Sequence, residues 1–106
     1  MMTFSQRRNY LLRVLEIESK IKDIEHGDEY LRVKRQIRVL ENARNGSGRI
    51  VVSSPEDMNT LVEIRKNSAD VEGYLNVYRG RMQSVSERIA SLNIEKSNLK
   101  RELLSG

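Results

Sequence analysis

Between residues 31 and 50 the chain carries Arg32, Lys34, Arg35, Arg38, Arg44 and Arg49 against one acid, Glu41. Six cations and one carboxylate leave a local excess of five charges, more than the net +4 of the whole sequence. On a helix, Lys34, Arg35 and Arg38 fall close enough to share a flank. Phosphate contact needs only such a flank, and gives affinity without reading base sequence. The six are therefore candidate nucleic-acid contacts. The same charges equally suit a solvated face paired across a helical hairpin with Glu63 and Asp70. Base stacking would require exposed aromatic rings. The four Tyr fall on or beside apolar stripes, where packing is the expected fate.

Other chemistry finds little support. The sequence has no Cys and one His, His26, which removes thiolate nucleophiles, disulfides and thiolate metal sites. His26 beside Asp23 and Asp28 lacks a second strong ligand, so no metal site is expected. No dinucleotide fingerprint, Walker loop or nucleophile elbow occurs. Gly46-Ser47-Gly48 is too short for a phosphate loop and precedes a strand-like run, whereas that motif opens a helix. Glu16 and Glu18 are two apart and diverge on a helix, with no buried setting to tune them for acid–base work. These observations predict a non-catalytic protein with no cofactor and no small-molecule substrate.

The strongest pattern lies in Leu61 to Leu103. Read in sevens, Leu61, Ser68, Leu75, Met82, Ile89, Lys96 and Leu103 occupy one position, and Ile64, Val71, Tyr78, Val85, Leu92 and Leu99 the other. Only Ser68 and Lys96 break the apolar register. Such a repeat predicts a long helix packed as a left-handed coiled coil. The length of 106 residues predicts one domain, and 38% apolar with 32% charged residues suits a helical assembly better than a thick globular core. No apolar run approaches the ~18 residues of a membrane span, and Met1 to Leu12 does not read as a leader. A cysteine-free chain fits a cytoplasmic setting.

In chain order, Thr3-Phe4-Ser5-Gln6 has the form of a capping box, predicting a helix over about 4–44. Gly27 interrupts its stripe. A local irregularity within one helix and a restart capped by Asp28 are both open, the first preferred because Tyr30, Val33, Ile37 and Leu40 carry the stripe onward. Residues 45–54 form the tip, with Arg49 to Ser53 as extended chain: an apolar loop over the helix ends is preferred to a strand whose partner comes from another chain. Ser54-Pro55-Glu56-Asp57 reads as the start of a second helix over about 55–104. The predicted fold is all-α, an antiparallel long-helix hairpin with an extended tip. Folding there sets Arg44 beside Asp57, Phe4 near Asn98, Arg32 near Asp70 and Arg38 near Glu63. In outline this resembles prefoldin-type chaperone subunits, which carry a full β-hairpin at the tip. The likeness covers no motif.

Apolar residues spread wider than one stripe on both helices, as at Leu11, Leu12, Val14 and Leu15 and at Tyr74, Leu75, Val77 and Tyr78. Gly73 and Gly80 lie seven apart on an outward flank, where small residues permit close approach. The expected partner or dimer interface comprises Leu12, Leu15, Ile50, Val51, Val52, Gly73, Val77 and Gly80, pairing two hairpins as a homodimeric four-helix bundle. The function expected is protein–protein assembly as a scaffold, adaptor or inhibitor. The alternative is a small basic nucleic-acid-binding protein using the 32–49 cluster.

Overall fold

The computed structural model describes residues 2–105; Met1 and Gly106 lie outside the described residues. Three helices, α1 (Phe4–Glu25), α2 (Asp28–Ala43) and α3 (Ala69–Ser105), enclose in sequence an antiparallel pair, β1 (Arg49–Ser53) and β2 (Leu61–Arg65). The chain is mostly helical, and the hairpin takes it out of a purely α class. It divides into two compact units: residues up to Gly27 with those from Val85 onward, and Asp28–Ser84.

The α1 start forms as its capping box requires. The Gln6 backbone N–H donates to Thr3 Oγ1 at 3.2 Å and the Thr3 N–H to Gln6 Oε1 at 3.0 Å. The preferred single helix over 4–44 is not what forms. α1 stops at Glu25 with His26 as its C-cap, and α2 begins at Asp28. Gly27 donates its N–H to the Ile24 carbonyl, and a Cβ there would lie 3.0 and 3.1 Å from the Asp23 and Ile24 carbonyl oxygens. That closeness suits the position to glycine, and Asp28 and Glu29 stand at the positive end of the new helix, which favours a start there.

In the first unit α1 runs antiparallel to the later part of α3. Phe4, Arg7, Arg8 and Leu11 neighbour Leu103, whereas Glu18, Ile21, Lys22 and Glu25 neighbour Asn93 and Lys96. Val14, Ile17, Ile21 and Val85 are buried, with Ile24, Ile89, Leu92 and Leu99 half-buried beside them. The Arg13 guanidinium donates from Nε and Nη2 to Glu95 Oε1 at 2.9 and 2.8 Å.

The second unit holds the larger core. Val33, Leu40 and Ala43 from α2 meet Val52, Ile64, Val71, Leu75 and Tyr78. The second predicted helix is here corrected: Ser54 to Thr60 are a hairpin loop, Leu61–Arg65 a strand, and α3 starts only at Ala69. The helix-start residues do cap, but they cap a turn. Asp57 accepts from the Asn59 N–H at 3.0 Å and the Thr60 hydroxyl at 2.9 Å, and the Ser54 N–H donates to the Thr60 carbonyl. β2 alternates outward Leu61, Glu63 and Arg65 with inward Val62 and Ile64. β1 therefore has its partner within the chain, with Ile50 opposite Ile64 and Val52 opposite Val62. The far edge of β1 is pinned at Ser53: its N–H donates to Gln36 Oε1 at 3.1 Å, and its carbonyl accepts from the Tyr78 hydroxyl at 2.7 Å.

The hairpin displaces the predicted cross-helix pairs. Arg44, expected at Asp57, bonds both carboxylate oxygens of Glu72, at 2.8 and 3.0 Å. Arg32 reaches Asp28 and Asn59, not Asp70. Glu63 takes Arg49 at 3.8 Å, not Arg38. Within α3 the sevenfold register holds from Val71 to Leu103: Val71, Leu75, Tyr78 and Val85 are buried, and Met82, Ile89, Leu92, Lys96, Leu99 and Leu103 are half-buried.

Candidate functional site

The first unit shields only one side of each helix. On α1, Leu11, Leu12 and Leu15 remain 53%, 52% and 53% exposed and Phe4 84%. Leu11 and Leu15 follow Phe4 by seven and eleven residues, with Leu12 alongside, and give a second apolar stripe that flanks the Val14, Ile17 and Ile21 side and adjoins Leu103 at Phe4 and Leu11. Ile94 and Leu104 on α3 are also exposed. Leu12 and Leu15, two of the residues expected at an interface, are thus among the exposed ones.

The other expected interface residues divide. Val51 and Val77 are exposed, and Gly73 and Gly80 have no atom within 4 Å of a notional Cβ. Val52, at 2% exposure, is core, and Ile50 packs half-buried against that core. Both are therefore withdrawn from the surface set, because β2 already occupies the hydrogen-bonding side assigned to another copy. Gly73, Tyr74 and Val77 line, with Val62, Pro55 and Arg81, a groove of about 690 Å³ between α3 and the hairpin. The Arg81 guanidinium closes one end by donating to the Pro55 carbonyl, and stands 5.7 Å from the Tyr78 ring centre.

The six cations of residues 32–49 do not form one patch. Arg32 and Arg44 are committed to Asp28 and Glu72, Arg49 approaches Glu63 only to 3.8 Å, and Lys34 lies over the Tyr30 ring at 5.9 Å. Arg35 and Arg38 are exposed and make no ion pair among the described residues. Arg44 holds the Glu72 carboxyl below its ordinary value, and Glu72 raises the guanidinium in turn. The Asn59 amide and then the Thr60 hydroxyl lower Asp57. Lys20 and then Arg13 lower Glu16. Burial pushes the Tyr78 phenol up. Each shift accompanies a bond that holds the fold, and none gathers beside a second reactive group.

His26 is exposed at the end of α1, and no three of His, Cys, Asp and Glu come together as a metal site among the described residues. None of the described helices is long and apolar enough to cross a membrane. Sequence reasoning overlooked Arg65 and Lys66. Assigned to a helix, they are two cations among many; in the fold Arg65 stands directly opposite Arg49. The signal was the alternation Leu61-Val62-Glu63-Ile64-Arg65, which also satisfies the sevenfold register at Leu61 and Ile64. Comparison with protein-family models, with curated proteins and with solved structures gives no match to this chain.

Proposed function

We propose that this chain is a non-catalytic assembly protein, a scaffold, adaptor or inhibitor, that acts by burying the outer stripe of α1 against a second copy of itself. The observation that carries the reading is the half-exposure of Leu11, Leu12 and Leu15 on one helix of a two-helix unit. Fully burying a Leu is worth ~1.5–3 kcal/mol, so each leaves roughly half of that unclaimed in the single chain.

The stripe is self-complementary. Antiparallel pairing of two α1 helices about a two-fold axis between Leu11 and Leu12 sets Leu11 against Leu12 of the second copy, and Arg7 against its Glu16. Such isologous contact needs no second kind of surface. The two pairs of antiparallel helical segments would then form a four-helix bundle, and the three-and-four spacing of inward positions along α3 supports coiled-coil-like packing within it. The setting proposed is cytoplasmic, to which a cysteine-free sequence is suited.

Nucleic-acid binding is the weaker reading, since Arg32 and Arg44 of its six cations are tied in closer ion pairs.

The absence of native Cys makes the interface testable by single cysteines. Under mild oxidation, Leu12→Cys should give a covalent dimer quickly, because residues beside a two-fold axis approach within disulfide reach. Ala90→Cys, exposed on α3, should not. Equal rates for the two would place the interface elsewhere.

A further inference from the structure

We infer that the turns joining α2 to β1 and β2 to α3 together form a binding site for a phosphate monoester dianion. The two turns face each other across a concavity of about 310 Å³, lined by Gly46 to Arg49 on one side and Arg65 to Asn67 on the other. It belongs wholly to the second unit and is independent of the α1 stripe.

Arg49 and Arg65 are direct cross-strand partners. The Lys66 N–H donates to the Gly48 carbonyl and the Ser54 N–H to the Thr60 carbonyl, one bond in each case, so by alternation along the antiparallel pair the bonded positions fall at Gly48 with Lys66, Ile50 with Ile64, Val52 with Val62 and Ser54 with Thr60. Arg49 and Arg65 therefore form a non-bonded pair, the type whose backbones come closest, at about 4.5 Å between Cα atoms. Both side chains leave the outer face of the hairpin. Like charges directly opposite on one face repel, and the fold does little to offset this. Glu63 approaches Arg49 only to 3.8 Å. Arg65 and Lys66 make no ion pair among the described residues. The Lys66 side chain lies over Gly46, where a Cβ would come within 2.8 Å of Lys66 Cδ, so glycine there leaves room for the stem, and both residues line the concavity.

The polar complement of the cations is also present. No backbone carbonyl accepts from the Ser47 or Gly48 N–H among the described residues, and both line the concavity. Guanidinium forks and unpaired N–H groups are the donors that phosphate oxygens take. Charge selects the ligand. Arg49, Arg65 and Lys66 against Glu63 leave two positive charges, which a monoester dianion neutralises and a diester monoanion does not.

Amide NMR of the full chain at low ionic strength, titrated with methyl phosphate, inorganic phosphate and dimethyl phosphate, tests this. The first two should shift the Ser47 and Gly48 amides with saturation, and dimethyl phosphate should bind at least about tenfold more weakly. The Arg65→Gln/Lys66→Gln double variant should weaken methyl phosphate binding by about tenfold or more, consistent with loss of charge-assisted bonds. In phosphate-free buffer it should melt no lower than the parent, since one of its changes removes a like-charge repulsion. Added methyl phosphate should raise the parent's Tm and leave the variant's unchanged. No saturable shift at these amides, or equal binding by parent and double variant, would overturn the site. Equal binding of dimethyl phosphate, or binding of inorganic phosphate without methyl phosphate, would overturn the monoester assignment.

Discussion

Replacing Tyr78 by alanine should destabilise the Asp28–Ser84 unit by about 3–5 kcal/mol, the range for emptying an aromatic site in a packed core. Tyr78 has no exposed surface and heads the fully buried side chains by volume. Its ring packs in the cluster that holds Val33, Leu40, Val52 and Leu75, so α2, the hairpin and α3 all lose contact at once. Its hydroxyl adds a separate effect, because it donates to the Ser53 carbonyl at 2.7 Å in a buried setting. Tyr78→Phe keeps the ring and leaves that carbonyl without its donor, so it should cost about 1–3 kcal/mol by itself. Urea unfolding of parent and both variants separates the two contributions. A Phe variant as stable as the parent would mean that the hydroxyl does not fix the end of β1.

Ile17→Ala should cost about 2–5 kcal/mol in the other unit. Ile17 has no exposed surface and sits between Val14 and Ile21 on the inner side of α1. Leu15, two residues away and 53% exposed, provides the contrast. At protein concentrations low enough to keep single chains, Leu15→Ala should cost clearly less, because only about half of that residue is buried there. Comparable losses at the two positions would mean that the inner and outer sides of α1 are wrongly assigned.

Much of this architecture was legible in the residues. The Thr3–Gln6 box started α1 where expected and the turn after Ala43 fell at the Asn45–Gly48 segment, whereas Arg49–Ser53, read by preference as an apolar loop, formed a strand paired within the chain. The inward positions of α3 followed the sevenfold register from Val71 on. The failure was local and has a physical cause. Ser54-Pro55-Glu56-Asp57 offers the same side-chain oxygens to a hairpin turn as to a helix start, and Leu61 with Ile64 satisfies two periods at once. Tertiary context decides between them: as a strand, Leu61–Arg65 pairs the hydrogen-bonding groups of Ile50 and Val52 that a helix would have left open. That one reassignment moved Arg44 from Asp57 to Glu72, made Val52 core, and set Arg65 against Arg49. The outer stripe of α1 was legible because it depends only on local helix periodicity. The Arg49–Arg65–Lys66 concavity was not, because its parts are joined only by strand register.

The most direct measurement of the assembly is equilibrium sedimentation of the unaltered chain over roughly a hundredfold range of concentration, since mass action shifts a reversible dimer across such a span. The self-association proposed here predicts a species of twice the 12.3 kDa chain mass at the upper end, reverting to single chains when Leu12 and Leu15 are both replaced by Lys. A 12.3 kDa species at every concentration would contradict it.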